Sequence, residues 1–256
     1  MNLNLLSEKI ENSKSLDFGD IFGESIELFK KSWGQGVLLL VVVFLMILPA
    51  LFVLYLPFIV GAITVGSLQQ DAGEEIMSAA MIPFVLLFFP VMLVVQALAM
   101  GLMAGFYKIL QEKDLDSSLS IASLFMYLKK PYLGKLITLA FFSMVIALLA
   151  MLLCVLPIIY VSVPLSFVAV VFAFNPELSA KQILKASFKL GNKKWLITFG
   201  LTLVAGLAAE FVGFLLCGIG LFFTASFSYI PLYFVYKETV GFEDESEISQ
   251  IGTSEV

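Results

Sequence analysis

The sequence contains no histidine and no arginine, and it has only two cysteines, Cys154 and Cys217. Without histidine the chain lacks the side chain that most often binds a metal ion or acts as a general base near neutral pH. Two cysteines alone do not supply the ligands of a tetrahedral zinc site. Without arginine there is no planar guanidinium to hold a phosphate through two parallel hydrogen bonds. We therefore expect no catalytic residues, no metal site and no cofactor.

Charged residues are also scarce, at 14% of the chain, and the long stretches between them are apolar. All 15 positive side chains are lysines, and they fall at 9–31, 108–135, 181–194 and at Lys237. Residues 136–174 contain no charged side chain. A helix that spans the hydrocarbon core of a bilayer needs about 20 mostly apolar residues. With a hydrophobic content of 60% and a mean hydropathy of +1.01, this pattern predicts an all-α integral membrane protein.

The apolar stretches predict six spanning helices arranged as three hairpins. Residues 36–68 and 76–110 each predict one long helix that is kinked at its prolines. Residues 136–174 are about twice the minimal length of a span, which predicts two spans joined by a turn near Pro157. Residues 195–236 are interrupted by Gly218 and Gly220, which favour a tight turn between a fifth and a sixth span.

The lysines determine the expected orientation of these spans. All lysine windows fall on one side of the predicted spans, and all three hairpin tips fall on the other. Because cytoplasmic loops carry an excess of lysine, we expect both termini in the cytoplasm and the protein in a bacterial inner membrane. Residues 1–16 are polar or mixed and do not form a signal peptide, so we interpret them as a flexible N-terminus.

The segments that lead into the first, third and fifth spans resemble one another. They read LFKKSW from Leu28, YLKKPY from Tyr127 and SFK from Ser187, and each follows an amphipathic stretch with helical periodicity. The pattern predicts a threefold repeat of a cytoplasmic-side amphipathic helix and a spanning hairpin, about an axis along the membrane normal. The units are residues 17–112, 117–175 and 176–238. The alternative is that lysine and aromatic residues are simply favoured at every membrane junction.

The third amphipathic helix has the strongest end signals. Asn175 is expected as its N-cap, with Pro176 at the first helical position and Gly191 just past its end. After the third unit, residues 239–256 are rich in acidic side chains and predict a disordered tail. The tail either binds a partner or keeps the C-terminus in the cytoplasm.

Several short motifs in the second half of the chain resemble those of a widespread group of bacterial six-span membrane proteins. That group includes the membrane domain fused to some glycerophosphodiester phosphodiesterases. The resemblance is clearest between residues 157 and 241, and it implies the fold rather than an activity. In the fused proteins catalysis belongs to a separate soluble domain, so phosphodiesterase activity is not expected here. The motifs are Pro157-x-Ile159-Tyr160, Leu184-Lys185-x-Ser187-x-Lys189, Cys217-Gly218-Ile219-Gly220-Leu221 and Tyr233-x-x-Tyr236-Lys237.

Glu210 is the only acidic residue inside a predicted span, and Gln96 is the other strongly polar residue deep in a span. A charged carboxylate near the middle of a bilayer costs about 2.5–3.5 kcal/mol on insertion scales. We expect Glu210 either to contact a proton, cation or ligand in a wet cavity, or to be a neutral group hydrogen-bonded within the bundle. Gln96 is expected to join helices through hydrogen bonds.

Small residues recur at every fourth position of three predicted spans, where they allow helices to approach closely. We expect these contacts within one chain, and a dimer interface is the alternative. Cys154 and Cys217 lie near the outer ends of the third and fifth spans, facing an oxidising compartment. They either form a disulfide or remain two buried thiols. The small residues are Ala97, Gly101 and Gly105; Ala205, Ala209 and Gly213; and Gly220, Thr224 and Ser228.

Six lysines at the predicted membrane junctions are candidate contacts for the headgroups of anionic lipids. The alternative is that these lysines serve only to determine topology. They are Lys30, Lys31, Lys129, Lys130, Lys193 and Lys194.

These features together predict a non-enzymatic membrane protein that acts as a scaffold or accessory subunit. Its amphipathic helices would contact membrane lipids or a protein partner, and no nucleic-acid partner is expected. The alternative is a carrier or channel for a lipid or small amphipathic molecule, through an axial cavity near Glu210. A membrane enzyme ranks third, because no catalytic constellation is present in the sequence.

Overall fold

A computed structural model describes residues 1–67, 73–116, 121–153, 155–216 and 218–242 of this chain. Cys154, Cys217 and the acidic tail after residue 242 lie outside the described residues. All secondary structure in the described part is helical, which confirms the all-α prediction. The α-helices are α1 Leu3–Asn12, α2 Phe18–Ser67, α3 Gly73–Asp114, α4 Lys130–Leu152, α5 Val155–Phe174, α6 Ala180–Lys193, α7 Trp195–Leu215, α8 Leu221–Thr224 and α9 Ile230–Val240. Two 3-10 helices accompany them, Ile121–Leu128 and Ala225–Tyr229.

Five helices of the described part are long and apolar enough to cross a membrane, which is typical of a multi-pass membrane protein. The second hairpin turns between α4 and α5, slightly earlier than predicted, and Pro157 lies in the first turn of α5. A proline is tolerated there because the first N–H groups of a helix have no partner within the helix. The five apolar segments are Phe18–Gly61, Leu86–Asp114, Lys130–Leu152, Leu156–Phe174 and Trp195–Leu215.

The first amphipathic stretch is not a separate helix but the beginning of α2, which is continuous over 50 residues. No proline interrupts it before Pro49, and the hydroxyls of Ser25 and Ser32 bond back to carbonyls of the preceding turn, at 2.7 and 2.8 Å. At 1.5 Å per residue α2 is about 75 Å long. The hydrocarbon core of a bilayer is about 30 Å thick, so α2 extends well beyond one crossing.

The last apolar segment, residues 221–240, is helical but does not form one α-helix. A 3-10 helix separates α8 from α9, and Pro231 is the second residue of α9. Because proline has no N–H, it cannot donate to the carbonyl of Phe227. That carbonyl instead accepts from the N–H of Ile230, one residue closer, which is the 3-10 pattern. The predicted sixth span is therefore a segment of three short helical pieces.

The second amphipathic stretch forms the 3-10 helix Ile121–Leu128 rather than an α-helix. Its Leu124 and Tyr127 are buried, whereas Phe125 is exposed. The hydroxyl of Tyr127 donates to the carbonyl of Ala173 at 2.5 Å, which joins this helix to the end of α5. Burial raises the pKa of the Tyr127 hydroxyl above its ordinary value, so it remains a donor.

The third amphipathic stretch is α6, and its start differs from the prediction. Its N-cap is Ser179, whose side chain accepts from the N–H of Gln182 in a capping box. Asn175, predicted as the N-cap, instead lies at the end of α5, where its N–H donates to the carbonyl of Val171 at 2.9 Å. A capping box satisfies two N–H groups at once, which explains why Ser179 is the N-cap.

A helix, α1, lies within the N-terminal segment that we interpreted as flexible. Leu6 and Ile10 are one turn apart and completely buried, and α1 packs against α6 and α9. The side chain of Asn2 caps the helix by accepting from the N–H of Leu5 at 2.9 Å. The amphipathic pattern of α1 is only 10 residues long, and tertiary burial rather than intrinsic propensity stabilises it.

The docking of α1 on α6 should depend on pH through Glu11. Its carboxylate accepts from Lys189 at 2.5 Å, and this bond holds the pKa of Glu11 below its ordinary value of 4.5. A lowered folded pKa stabilises docking above pH 4.5, and this stabilisation is lost as the pH falls through the lower folded pKa. A spin label carried by an unnatural amino acid at position 7 should therefore become more mobile on acidification.

The control for this prediction is a second carboxylate on the same helix. Glu11→Gln should remove most of the pH dependence of label mobility. Glu8→Gln should preserve it, because Glu8 is exposed and makes no ion pair within the part of the chain that the structure describes. Equal pH dependence in the wild type and in Glu11→Gln would contradict the role of the Glu11–Lys189 pair.

The most completely buried large side chains lie at the ends of the helices that carry the lysines. Most of the largest buried side chains there are aromatic and come from α3, α5 and α9, among them Phe106, Tyr107, Phe172 and Tyr233. At the opposite ends large apolar side chains are exposed, with Leu152 81% and Phe214 80% exposed. Such a surface is suited to lipid rather than water.

Candidate functional site

Glu210 lies on the outward face of α7 rather than inside the helical bundle. The buried face of α7 carries Thr198, Leu201, Ala205, Ala209 and Gly213, whereas Glu210 is exposed. The carboxylate lines a hollow of about 920 Å³ that is open to the surroundings. Apart from Glu210 the hollow is lined by apolar residues: Val204, Leu207, Ala208, Phe211, Phe214 and Leu221.

Gln96 also lies on an outward face, on α3, next to the buried Ala97. Neither Gln96 nor Glu210 makes a hydrogen bond or ion pair with any of the described residues. Gln96 is not part of the hollow that contains Glu210, so the structure does not bring the two polar residues into one site. The predicted bonding of Gln96 between helices is not observed among the described residues.

The depth of Glu210 explains why its surroundings matter. It is fifteen residues after Trp195, at the start of α7, and five before Leu215, at its end. At 1.5 Å per residue these separations are about 22 Å and about 8 Å, so the carboxyl lies within the apolar length of the helix. A charged carboxyl group there needs a hydrogen-bond or charge partner.

The six candidate headgroup lysines differ in their surroundings. Lys30 pairs with Glu27 at 2.6 Å, and Lys31 pairs with Asp116 at 2.8 Å, which holds the pKa of Asp116 below its ordinary value. Lys193 donates to the carbonyl of Glu11 at 2.6 Å.

Lys194 donates to the carbonyl of Lys14, and burial lowers the pKa of its ammonium. Lys193 and Lys194, at the end of α6, therefore both bond to the N-terminal segment, and Lys194 is buried whereas Lys193 is exposed. Lys129 and Lys130 are exposed at the start of α4, and no ion pair of either is found within the described ranges. Lys129 and Lys130 are thus both exposed and without an ion pair in the described part, which leaves their charge available to a lipid headgroup.

The small residues lie at contacts within the chain. A Cβ added to Gly105 would lie 2.2 Å from the carbonyl oxygen of Leu124, and one added to Gly101 would lie 2.5 Å from Leu128. The stripe on α7 is buried against the last apolar segment, where the hydroxyl of Thr224 donates to the carbonyl of Ala209 at 2.7 Å. Packing within one chain accounts for these residues.

Two polar clusters at the lysine-bearing ends were not predicted from the sequence. Asp114, at the end of α3, accepts from Tyr233 at 2.8 Å and from Lys237 at 2.7 Å. Asn175 donates to the hydroxyl of Tyr236 at 2.7 Å. The residues of each cluster are far apart in the chain, so their spacing does not predict the contact. The sequence shows only that these Asp, Asn and Tyr residues lie at the expected cytoplasmic ends of spans.

No group of three or more histidine, cysteine, aspartate or glutamate residues that could hold a metal ion occurs among the described residues. Comparisons with protein-family models, with curated proteins and with solved structures find no match for this chain. The resemblance of residues 157–241 to the six-span family therefore stays an expectation. Cys154 and Cys217 lie outside the described residues, so both alternatives, a disulfide and two buried thiols, stay expectations.

Proposed function

We propose that the chain crosses a bacterial inner membrane six times, as three hairpins, with both termini in the cytoplasm. Five spans are the long apolar helices, and the sixth is the last apolar segment, residues 221–240. Its two α-helices and its 3-10 helix together rise about 33 Å, close to the thickness of the hydrocarbon core. The excess of lysine on one side supports this orientation.

The threefold repeat is part of the same proposal. Each of the units 17–112, 117–175 and 176–238 begins with an amphipathic helical segment and continues into two apolar helical segments. The three amphipathic segments differ in form: one is continuous with α2, one is a 3-10 helix and one is the capped helix α6. Divergence of three copies accounts for these differences, because each segment now packs against different neighbours.

Within this topology the chain is a non-enzymatic accessory subunit whose partner docks on the outward face of α7. The observation that carries this proposal is the outward position of Glu210 in an apolar hollow. Lipid chains offer a charged carboxylate no partner, and a donor on another molecule would offset its cost of about 2.5–3.5 kcal/mol. A spanning helix of a partner protein with a basic side chain supplies that donor together with an opposite charge.

A second copy of this chain is a poorer occupant. Its spanning segments contain no arginine, and its lysines lie outside the apolar cores of the spans, so it has no cation to place beside Glu210. Burial of an unpaired carboxylate at a dimer interface would be unfavourable. Charge complementarity therefore favours a different protein as the partner.

The alternative is a carrier for a lipid or small amphipathic molecule. The hollow of about 920 Å³ is large enough for a ligand of drug size, and this supports the alternative. The hollow opens at the outer surface of α7, whereas a carrier of three repeat units would place its cavity on the central axis. The position of the hollow on the outer surface therefore favours an accessory subunit over a carrier.

Replacing Glu210 with alanine should release the partner when the protein is isolated in a mild detergent. Loss of one member of a desolvated, hydrogen-bonded charge pair costs about 2–5 kcal/mol of binding. Glu210→Gln, which keeps the hydrogen-bonding shape, should have a smaller effect. The measurement is the amount of co-purifying protein per mole of this chain, by quantitative mass spectrometry.

The matched control is Leu203→Ala, which truncates an exposed residue of α7 that is 48% exposed and does not line the hollow. A photo-crosslinking residue at position 207 should capture the same partner, and one at position 203 should not. Equal recovery of the partner with Glu210→Ala and Leu203→Ala would exclude docking at the hollow. A retained lipid that is lost only in Glu210→Ala would favour the carrier.

A further inference from the structure

A second cavity, unrelated to Glu210, lies at the lysine-bearing ends of three helices. Its volume is about 170 Å³, and most of its wall is formed by α3, α5 and the chain around the end of α9. A cavity of about 150 Å³ already holds a molecule of benzene, so a phosphate group fits. We name it the α3–α9 pocket, and its residues are Met1, Lys108, Gln111, Phe174, Asn175, Tyr236, Gly241 and Phe242.

Two residues of α3 that line the α3–α9 pocket, Lys108 and Gln111, carry hydrogen-bond donors. The ammonium of Lys108 lies 4.7 Å from the centre of the Phe174 ring and donates to the side-chain oxygen of Gln111 at 3.1 Å. Because the oxygen of Gln111 accepts from Lys108, its amide nitrogen is the group that can donate to a ligand. Lys108 is part-buried and Gln111 is only 6% exposed, so both act at low dielectric.

The lining of the pocket also includes a residue with a buried acceptor. Asn175 is completely buried, and its amide nitrogen donates to the carbonyl of Val171 at 3.1 Å and to the hydroxyl of Tyr236 at 2.7 Å. Its side-chain oxygen is buried and has no hydrogen-bond partner among the described residues. Buried polar atoms are normally hydrogen-bonded, so this oxygen indicates a donor that belongs to a ligand or water.

The two donors of α3 and the acceptor of Asn175 are complementary to an anion that also carries an O–H group. A carboxylate at neutral pH has only acceptors and would leave the oxygen of Asn175 unsatisfied. A phosphate that carries a proton, or that lies beside a hydroxyl, accepts from Lys108 and Gln111 and donates to Asn175. Lysine binds phosphate as a point charge, so the absence of arginine does not exclude such a site.

We propose that the α3–α9 pocket binds a phosphate group bearing an O–H donor. Two sources share this chemistry: free inorganic phosphate and the phosphomonoester headgroup of an anionic lipid such as phosphatidic acid. The pocket lies at the ends of apolar helices α3 and α5, the level at which headgroups occur, so both sources can reach it.

The experiment uses the full-length protein in a neutral detergent, titrated with inorganic phosphate and monitored by its midpoint of thermal unfolding. In a second arm the protein is placed in nanodiscs of neutral lipid with or without phosphatidic acid, and retained lipid is measured by native mass spectrometry. Ligand that binds only the folded state raises the midpoint. Lys108→Met should weaken binding at least about tenfold, because it removes a charge-assisted hydrogen bond.

The matched control is Lys113→Met, which removes a lysine from the same helix outside the pocket and should bind as the wild type does. Gln111→Ala is the second pocket variant, and it should weaken binding less than Lys108→Met. The midpoint of thermal unfolding of each variant without ligand shows whether the variant is folded, and this separates misfolding from loss of binding.

Each outcome has a defined meaning. Binding in the phosphate arm alone identifies a free anion as the ligand, and binding in the lipid arm alone identifies a headgroup. Binding in neither arm, or equal binding by Lys108→Met and Lys113→Met, would overturn the proposal and leave water as the occupant. None of these outcomes depends on the partner proposed for Glu210.

Discussion

Replacement of Gly105 by alanine should lower the midpoint of thermal unfolding in detergent more than alanine at any exposed position. A Cβ at residue 105 would lie 2.2 Å from the carbonyl oxygen and 2.8 Å from the carbonyl carbon of Leu124. These are backbone atoms, so no side-chain rotation relieves the overlap, and the 3-10 helix Ile121–Leu128 must move away from α3. Overpacking of this kind costs about 1–3 kcal/mol.

The movement has a second consequence that can be measured. Tyr127 lies on the same 3-10 helix and donates to Ala173 at the end of α5. Displacement of the 3-10 helix should break this bond, so Gly105→Ala and Tyr127→Phe should be less than additive when combined. Full additivity would show that the two contacts are independent and would contradict the proposed displacement.

The control for Gly105 is the same substitution at Gly206 in α7. A Cβ at residue 206 meets no atom within 4 Å. Alanine is favoured over glycine in a helix by about 0.5–1 kcal/mol, so Gly206→Ala should leave the midpoint unchanged or raise it. If both substitutions lower the midpoint equally, the close approach of Leu124 is not the cause.

The sequence predicted the long apolar helices well because the bilayer imposes a length and a composition on every span. It predicted poorly where one helix ends and the next begins. The continuity of α2 depends on the absence of a helix breaker around Ser32, and the start of α6 at Ser179 depends on a local capping box. Both are decided by individual hydrogen bonds, and the periodicity of apolar residues does not report them.

The outward orientation of Glu210 could have been predicted from the sequence, but from the positions of the small residues of α7 rather than from its apolar residues. Successive residues of an α-helix are rotated by about 100°, so the small residues Ala205, Ala209 and Gly213 share one face. Glu210 lies about 120° from the centre of the buried face that they help to form. The apolar residues of α7 surround the helix, so they carry no information about its rotation, and only the small residues do.

The clusters at the ends of the helices were not predictable from spacing. Asp114 and Lys237 are 123 residues apart, and the sequence alone does not indicate that α3 and α9 end side by side. The tertiary fold brings Asp114 and Lys237 together. The strength of this contact determines how firmly α9 is held against α3.

Replacement of Asp114 by alanine should loosen the end of α9 and lower the midpoint of thermal unfolding. Its carboxylate accepts from the hydroxyl of Tyr233 and from the ammonium of Lys237, and the side chains of Asp114 and Lys237 are only 19% and 24% exposed. A hydrogen bond to a charged group contributes about 1.5–3 kcal/mol, and partial exposure places each of these bonds near the lower limit. Asp114→Asn keeps an acceptor for Tyr233, so its midpoint of thermal unfolding should lie between those of Asp114→Ala and the wild type.

Asp116 provides the matched control two residues further along the chain. Its carboxylate also pairs with a lysine, Lys31, at 2.8 Å, but the Asp116 side chain is 79% exposed. Water competes for an exposed ion pair and salt screens it, so Asp116→Ala should leave the midpoint nearly unchanged. If Asp114→Ala were equally harmless, the last apolar segment would be held by apolar packing of α9 alone. A fall confined to Asp114→Ala would show that this polar cluster holds the end of α9 against α3.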